Sequence, residues 1–330
     1  FGEARVEDGF VKLKSFPHPF EKIEGQAQFS QTNVSISNVK GQLAGGVFAG
    51  DGNIQIKGLR DLPVQIKAQV QNINLNVPDH VRTSGNADIM VSGNWFPFIL
   101  SGIYRVNNGK IDKEFTSDRL GTSLRQSSYL PKVILQSAFE PIVLDMQVNL
   151  EKGVNIKNSL MEGVLKGNIQ VKGVPNSPIL LGRITTEKSS KLFFRDTPFE
   201  IINSSIDLKD PSEVNPELFI SARTRKSDYD VNLLIQGNAK NPILRLSSMP
   251  PLSEQDIISL LALGITSQRL EKSAKSREQE NATGYTIGNA ILSSNPLTKD
   301  LQEKTGFNLQ FSSQYDDTKN SSVQKITVSR

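Results

Sequence analysis

Few residues in this chain could carry out chemistry on a substrate. The imidazoles available near neutral pH are His18 and His80, and they are far apart in sequence. His18 sits between Pro17 and Pro19, in a turn, and neither histidine has a second ligand at metal spacing. No Gly-x-Ser-x-Gly stretch is present to start a serine nucleophile elbow. There is no cysteine, which excludes disulfide frameworks, thiolate metal sites and thiol nucleophiles. Gly41, Gly45, Gly46, Gly50 and Gly52 form a glycine-rich stretch. A phosphate cradle would need those glycines between a strand and a helix N-terminus, but segments of β character lie on both sides. Turns and close strand packing account for them. The acidic residues are scattered, without the spacing of a calcium loop. The chain therefore reads as non-enzymatic, with no cofactor and no metal expected.

Charge and composition narrow the classes further. The 330 residues hold 38 basic and 34 acidic side chains, a net charge of +4, interspersed along the chain. No basic cluster alternates with aromatics, so nucleic acid is not an expected partner, while weak attraction to anionic headgroups is compatible. The hydrophobic share of 37% is low and fits strands that are wet on one face. No run approaches about 18 apolar residues, the length that spans a bilayer as a helix, so any membrane anchor is expected outside these residues. The chain starts at Phe1, which reads as a piece of something longer.

The positive signal is apolar alternation with period two, the mark of strands with one dry face. Ile54 and Ile56 begin it, followed by Val64, Ile66, Ala68 and Val70 against Gln65, Lys67 and Gln69. The phase slips at Gln71-Asn72, where a bulge or a new strand is expected. Ile142, Leu144, Met146 and Val148 form the longest clean stripe, opposite Asp145 and Gln147. Leu165, Ile169 and Val171 repeat it, then Ile202, Ile206 and Leu208, then Val231, Leu233 and Ile235, then Leu244 and Leu246. Taken alone, these stripes would also suit the closed core of a β-sandwich.

A supersecondary unit recurs. Gly52-Asn53 through Gly58 is followed by Pro63, Gly85-Asn86 through Gly93 by Pro97, Gly167-Asn168 through Gly173 by Pro178, and Gly237-Asn238 by Pro242. Each copy reads as a strand, a glycine-rich turn and a proline-marked entry to the next strand, and stacking such units lengthens one sheet. Residues 110–130 are polar and read as a loop or short helix, 266–281 as a charged connection, and 282–304 as a further helix interrupted at Asn295-Pro296. Phe307, Leu309 and Phe311 alternate with polar residues and pair in prospect with Ile326 and Val328, as a terminal hairpin.

Against this β background, residues 241–264 stand out. Pro250-Pro251 stops a strand, and Ser253 can cap a helix whose first turn carries Glu254 and Asp256. Ile257, Ile258, Leu260, Leu261 and Leu263 follow, with Gly264 placed to end the helix in a left-handed conformation. Those apolar positions cover more than one face, so the helix must be buried nearly all round.

This motif resembles the C-terminal region of the TamB family. Asn241-Pro242, Ser247-Ser248, Pro250-Pro251, Leu252-Ser253-Glu254 and the leucine-rich run to Gly264 carry the likeness, together with Lys191–Phe194, Phe199–Ile201, Ile206–Leu208 and Asn215–Leu218 upstream. Ser204-Ser205 depart from it, standing where the family tends to place a glycine at a turn. The resemblance implies a mostly β fold: a long, curved and twisted sheet forming a taco-like trough with an apolar interior, and one or two short helices near the C-terminal end. It divides the chain into a trough and its capping helix over 1–264, a charged linker with a possible helix over 265–304, and a terminal hairpin over 305–330. The stripe residues would line a lipid groove, Ile257 to Leu263 would close its end, and Phe307, Leu309, Phe311, Ile326 and Val328 would bind a partner. The implied setting is the periplasm of a diderm bacterium, in an inner-membrane-anchored protein that meets TamA, a BamA-like outer-membrane barrel. The implied work is phospholipid movement to the outer membrane. The alternative is a chaperone that pairs exposed edges with nascent outer-membrane strands.

Overall fold

The computed structural model describes residues 1–13, 16–112, 140–194, 197–264 and 266, and the strands at 308–316 and 321–329. The polar segment beyond Asp112, the charged stretch beyond Thr266 and the helix read within 282–304 lie outside those residues. The described residues fall into two compact units. One holds the strands through Met249, and the other holds the helix and the terminal hairpin.

The first unit is a single sheet, sixteen-stranded among the described residues. Its strands are β1 (Gly2–Val11), β2 (Phe20–Phe29), β3 (Asn33–Leu43), β4 (Gly46–Gln55), β5 (Val64–Asn76), β6 (Val81–Gly93) and β7 (Phe98–Ile111). Then come β8 (Ile142–Asn149), β9 (Val154–Lys157), β10 (Met161–Val174), β11 (Ser177–Thr186) and β12 (Lys191–Phe194). β13 (Thr197–Leu208), β14 (Glu217–Lys226), β15 (Tyr229–Asn238) and β16 (Ile243–Met249) complete it. Spatial order follows chain order, with β8 and β9 in series between β7 and β10, and β11 and β12 in series between β10 and β13. Described neighbours pair antiparallel, except that β7 lies parallel to β8 and β9.

Local chemistry fixes this meander. The β3–β4 turn puts Ala44 and Gly45 at positive φ, 50° and 79°, as a tight two-residue hairpin requires. The recurring glycine–proline unit falls at hairpins, as at β10–β11, where Gly173 lies opposite Pro178. The expected phase slip is a bulge: the register shifts between Val70 and Ile73, and Asn72 takes φ 55°. The Asn72 N–H, which leaves the ladder there, donates to Asn86 Oδ1 at 2.9 Å.

Curvature has an identifiable source in β10 and β11. Gly167 and Gly182 adopt φ of 152° and 140°, which side-chain-bearing residues rarely take. A Cβ on Gly167 would lie 2.1 Å from the Arg183 carbonyl oxygen, and one on Gly182 2.2 Å from that of Asn168. Paired glycine kinks of this kind bend a sheet. Bending is needed here, because a sheet one layer thick leaves both faces wet unless it curves around one of them. Leu43, Val70, Ile73, Ala87, Tyr104, Val106, Leu150 and Val154 are buried together on that inner side.

Two expectations change. Ile56 lies just beyond the end of β4 and is 39% exposed, although its N–H still donates to the Thr32 carbonyl at 2.8 Å. Ile202 falls at a second bulge, between Ile201 and Asn203, and is 50% exposed, so it drops out of its stripe. Ser204-Ser205 form no turn but lie within β13, where buried Ser204 accepts from the Thr186 N–H at 2.8 Å and donates to Thr186 Oγ1 at 2.9 Å.

The helix spans Glu254–Leu263. Ser253 Oγ caps it by accepting from the Asp256 N–H, and Gly264 ends it at φ 75° with its N–H on the Leu260 carbonyl. It belongs to the second compact unit, as does the terminal hairpin. It is too short to cross a membrane. The hairpin of β17 (Asn308–Asp316) and β18 (Ser321–Ser329) is antiparallel.

Candidate functional site

Residues directly opposite across a ladder share a face, so the registers trace one face across the sheet. Ile54 pairs with Val64, Ile66 with Val91, and Val70 with Ala87. Ala87 pairs with Tyr104, Tyr104 with Val148, and Val148 with Ile169. Val171 pairs with Leu180, and Ile184 with Ile206. Ile206 then pairs with Leu218, Ile220 with Ile235, and Ile235 with Leu244. The stripes of Ile142–Val148, Leu165–Val171, Ile206–Leu208, Val231–Ile235 and Leu244–Leu246 thus share one side, together with Ile54, Val64, Ile66 and Val70.

The burial of that face varies. Val70, Leu165, Leu208, Val231 and Leu233 are buried. Ile54, Val64, Ile66, Ile142, Leu144, Met146, Val148, Ile169, Val171, Ile206, Ile235 and Leu246 are half-buried, and Leu244 is 42% exposed. The sequence missed several members of the face: Phe199 and Ile201, which precede a bulge, Leu180 and Ile184, and Ile220 and Ala222, which alternate with serine and arginine. Their own alternation was a usable signal. Tyr104 adds a polar group to the apolar side. Its hydroxyl donates to Thr83 Oγ1 at 3.0 Å, and burial, partly offset by that bond, pushes its pKa above the ordinary phenol value.

The opposite face is polar and self-paired. Lys157 and Glu162 sit opposite in the ladder with Nζ–Oε1 at 3.4 Å, and Arg223 and Glu200 likewise with Nε–Oε2 at 3.6 Å. Gln170 donates to Asp145 at 3.1 Å. Arg183 lies opposite Asp207, and hydrogen bonds from Arg183 and Ser205 hold the Asp207 carboxyl below its usual range, against a smaller effect of burial. Hydrogen bonds from Lys110 and Arg82 do the same for Asp112.

Ile257, Leu260 and Leu261 in the helix are buried and Ile258 is half-buried, while the Leu263 side chain lies outside the described residues. In the terminal hairpin Leu309 lies opposite Val328 and Phe311 opposite Ile326, as the alternation requires, and Phe307 lies outside the described residues. His18 Nε2 accepts from the Asn76 N–H at 3.1 Å. Among the described residues no group of three or more His, Asp or Glu side chains is placed to hold a metal ion.

A family model described as the TamB C-terminal domain matches residues 37–330, from within β3 through the terminal hairpin. The chain belongs to the TamB family. Comparison with curated proteins gives no significant match. The TamB family belongs to the translocation and assembly module of the bacterial envelope, where it works with TamA. In this TamB domain the matched span includes the whole traced apolar face, from Ile54 to Leu244, with the helix and the hairpin.

Proposed function

We propose that this TamB domain is a non-enzymatic carrier of phospholipid acyl chains. They travel along the apolar face through the periplasm, between the inner and outer membranes. One observation carries the reading: the face is unbroken in register from β4 to β16, yet most of its side chains are only half-buried. A closed core would hide them. Each acyl CH₂ laid against such a face gains about 0.8 kcal/mol over water. Over the half-buried stretches a lining of similar residues keeps that gain nearly level, so a chain can slide there without falling into a deep trap. The polar, self-paired outer face keeps the sheet soluble. The terminal hairpin is the element expected to meet the TamA barrel, since a two-stranded ribbon is marginal in water without a partner.

A photo-crosslinker at Leu144, on the apolar face, should capture phospholipid, identified by mass spectrometry. One at Gln147, exposed on the other face, should not. Equal labelling at both positions would sink the reading. A second reading, strand pairing with nascent barrel proteins, draws on β16, whose outer edge has no strand neighbour among the described residues. Crosslinks from Arg245 to peptide, with none from Leu144 to lipid, would favour it.

A further inference from the structure

We propose that the paired tips of the β4–β5 and β6–β7 hairpins form a bilayer anchor that seats in the interface of an anionic membrane. Leu59, at the first tip, is 96% exposed. Trp95 and Phe96, at the second, are 36% and 39% exposed. The tips are held side by side by the Leu62 N–H, which donates to the Asn94 carbonyl at 2.8 Å. The aromatic rings brace one another edge-on. Trp95 and Phe96 centroids lie 5.2 Å apart, and Phe96 and Phe98 4.8 Å apart. Phe98 in turn donates its N–H to the Pro141 carbonyl at 2.8 Å, which ties the tip to the start of β8. Leu59, almost wholly exposed, fills no core, and the aromatic pair beside it keeps over a third of its surface in water.

The chemistry selects the occupant. Lys57 and Arg60 flank Leu59, and neither makes an ion pair among the described residues. Asp61 is the one acid in 56–63 and 94–97. An exposed apolar point flanked by two cations and a single acid suits headgroups that are anionic above an apolar layer. Tryptophan, with an apolar body and a polar N–H, favours that same boundary. A protruding tip has no walls to enclose a single acyl chain, so it fits a surface and not a free lipid. The anchor also meets the apolar face, because Phe98 lies on it opposite Ile142. Seating the tip would bring the bilayer to the mouth of that face. The anchor does not depend on carriage along it.

Trp95 is the chain's single tryptophan and reports its own surroundings. The full chain is titrated with phosphatidylcholine vesicles, with and without phosphatidylglycerol, and with brominated acyl chains. Trp95 emission should shift to the blue and be quenched by brominated lipid, with tighter binding to the anionic vesicles and weaker binding at high salt. Lys57→Gln with Arg60→Gln should weaken binding to anionic vesicles roughly 30-fold, at about 1 kcal/mol per cation. Leu59→Ser with Phe96→Ser should weaken it at least about tenfold. Circular dichroism confirms that the variants fold. Unchanged Trp95 emission at saturating vesicles, or wild-type affinity in both variants, overturns the anchor. Lipid capture at Leu144 with a silent Trp95 would remove the anchor and leave carriage standing. A responsive Trp95 with no capture would do the reverse.

Discussion

One face of the sheet changes character between two stretches. Across β8 and β10, Met146, Val148, Ile169 and Val171 are half-buried. Across β13 to β15, Phe199, Ala222 and Val231 have no exposed surface and Leu233 keeps 1%. The residue types and the alternation are alike, so the difference lies in what surrounds the face. The same stripe is therefore fully buried in one place and only half-buried in the other, where Met146, Val148 and Ile169 pack at the border of the buried cluster. Substitutions should separate the two stretches.

The largest effect is expected in the sealed stretch. Leu233→Asp places a carboxylate with no partner where the side chain is hidden, at a cost of several kcal/mol. Thermal melting followed by circular dichroism should show the sheet lost or its transition sharply lowered. A melting curve like wild type would mean that β15 is no more sealed than β10. The glycine kinks come next. Gly182→Val forces an unfavourable φ and drives a side chain against the Asn168 carbonyl, a loss of about 1–3 kcal/mol or more. If the melt is unchanged, the bend between β10 and β11 does not depend on glycine.

Ile169→Asp should cost under about 1.5 kcal/mol, because the half-open face lets the carboxylate reach water. It should nonetheless abolish lipid capture at Leu144, since Ile169 pairs with Val148 on the same lining. Unfolding of this variant would make the two stretches equivalent. The smallest effect is electrostatic. Asp207 ionises at a lower pH in the folded chain than in the unfolded one, so its stabilisation is present at neutral pH. That stabilisation fades as pH falls below the ordinary carboxylate range and through the depressed value. Asp207→Asn should melt slightly lower than wild type at neutral pH and level with it in acid. A gap that persists in acid would point to packing and not to charge.

The strands were legible because the period-two pattern is a direct image of one dry face. The bulge at Asn72 was visible as a slip of phase, and the helix was visible through its two caps. The faces near Ile202 were not legible, since a bulge there lets Phe199 and Ile201 take the inner side and turns Ile202 outward. Ile56 follows the alternation yet lies past the end of β4 and is 39% exposed, a boundary that alternation does not mark. Sealed and half-open stretches also read alike, because burial depends on what surrounds a face, which alternation along one strand does not display. The aromatic tip at Trp95 carries no period-two signal and does not stand out in the sequence beside the longer stripes.

The ladder order has a consequence for how the molecule is built. From β2 to β7 each strand pairs with the strand made just before it. A chain emerging N-terminus first can therefore zip onto an existing edge one hairpin at a time, with the low contact order that speeds assembly. The zip halts at β7. The next strand runs parallel to it, and the chain must return past residues 112–141 before Ile142 can reach Phe98. Closing a connection of about 30 residues costs roughly 2 kcal/mol more entropy than closing a two-residue turn, so this step is expected to be slower than the hairpins before it. Beyond it the zipper resumes through β10 to β16, on an edge whose register the first half has already fixed.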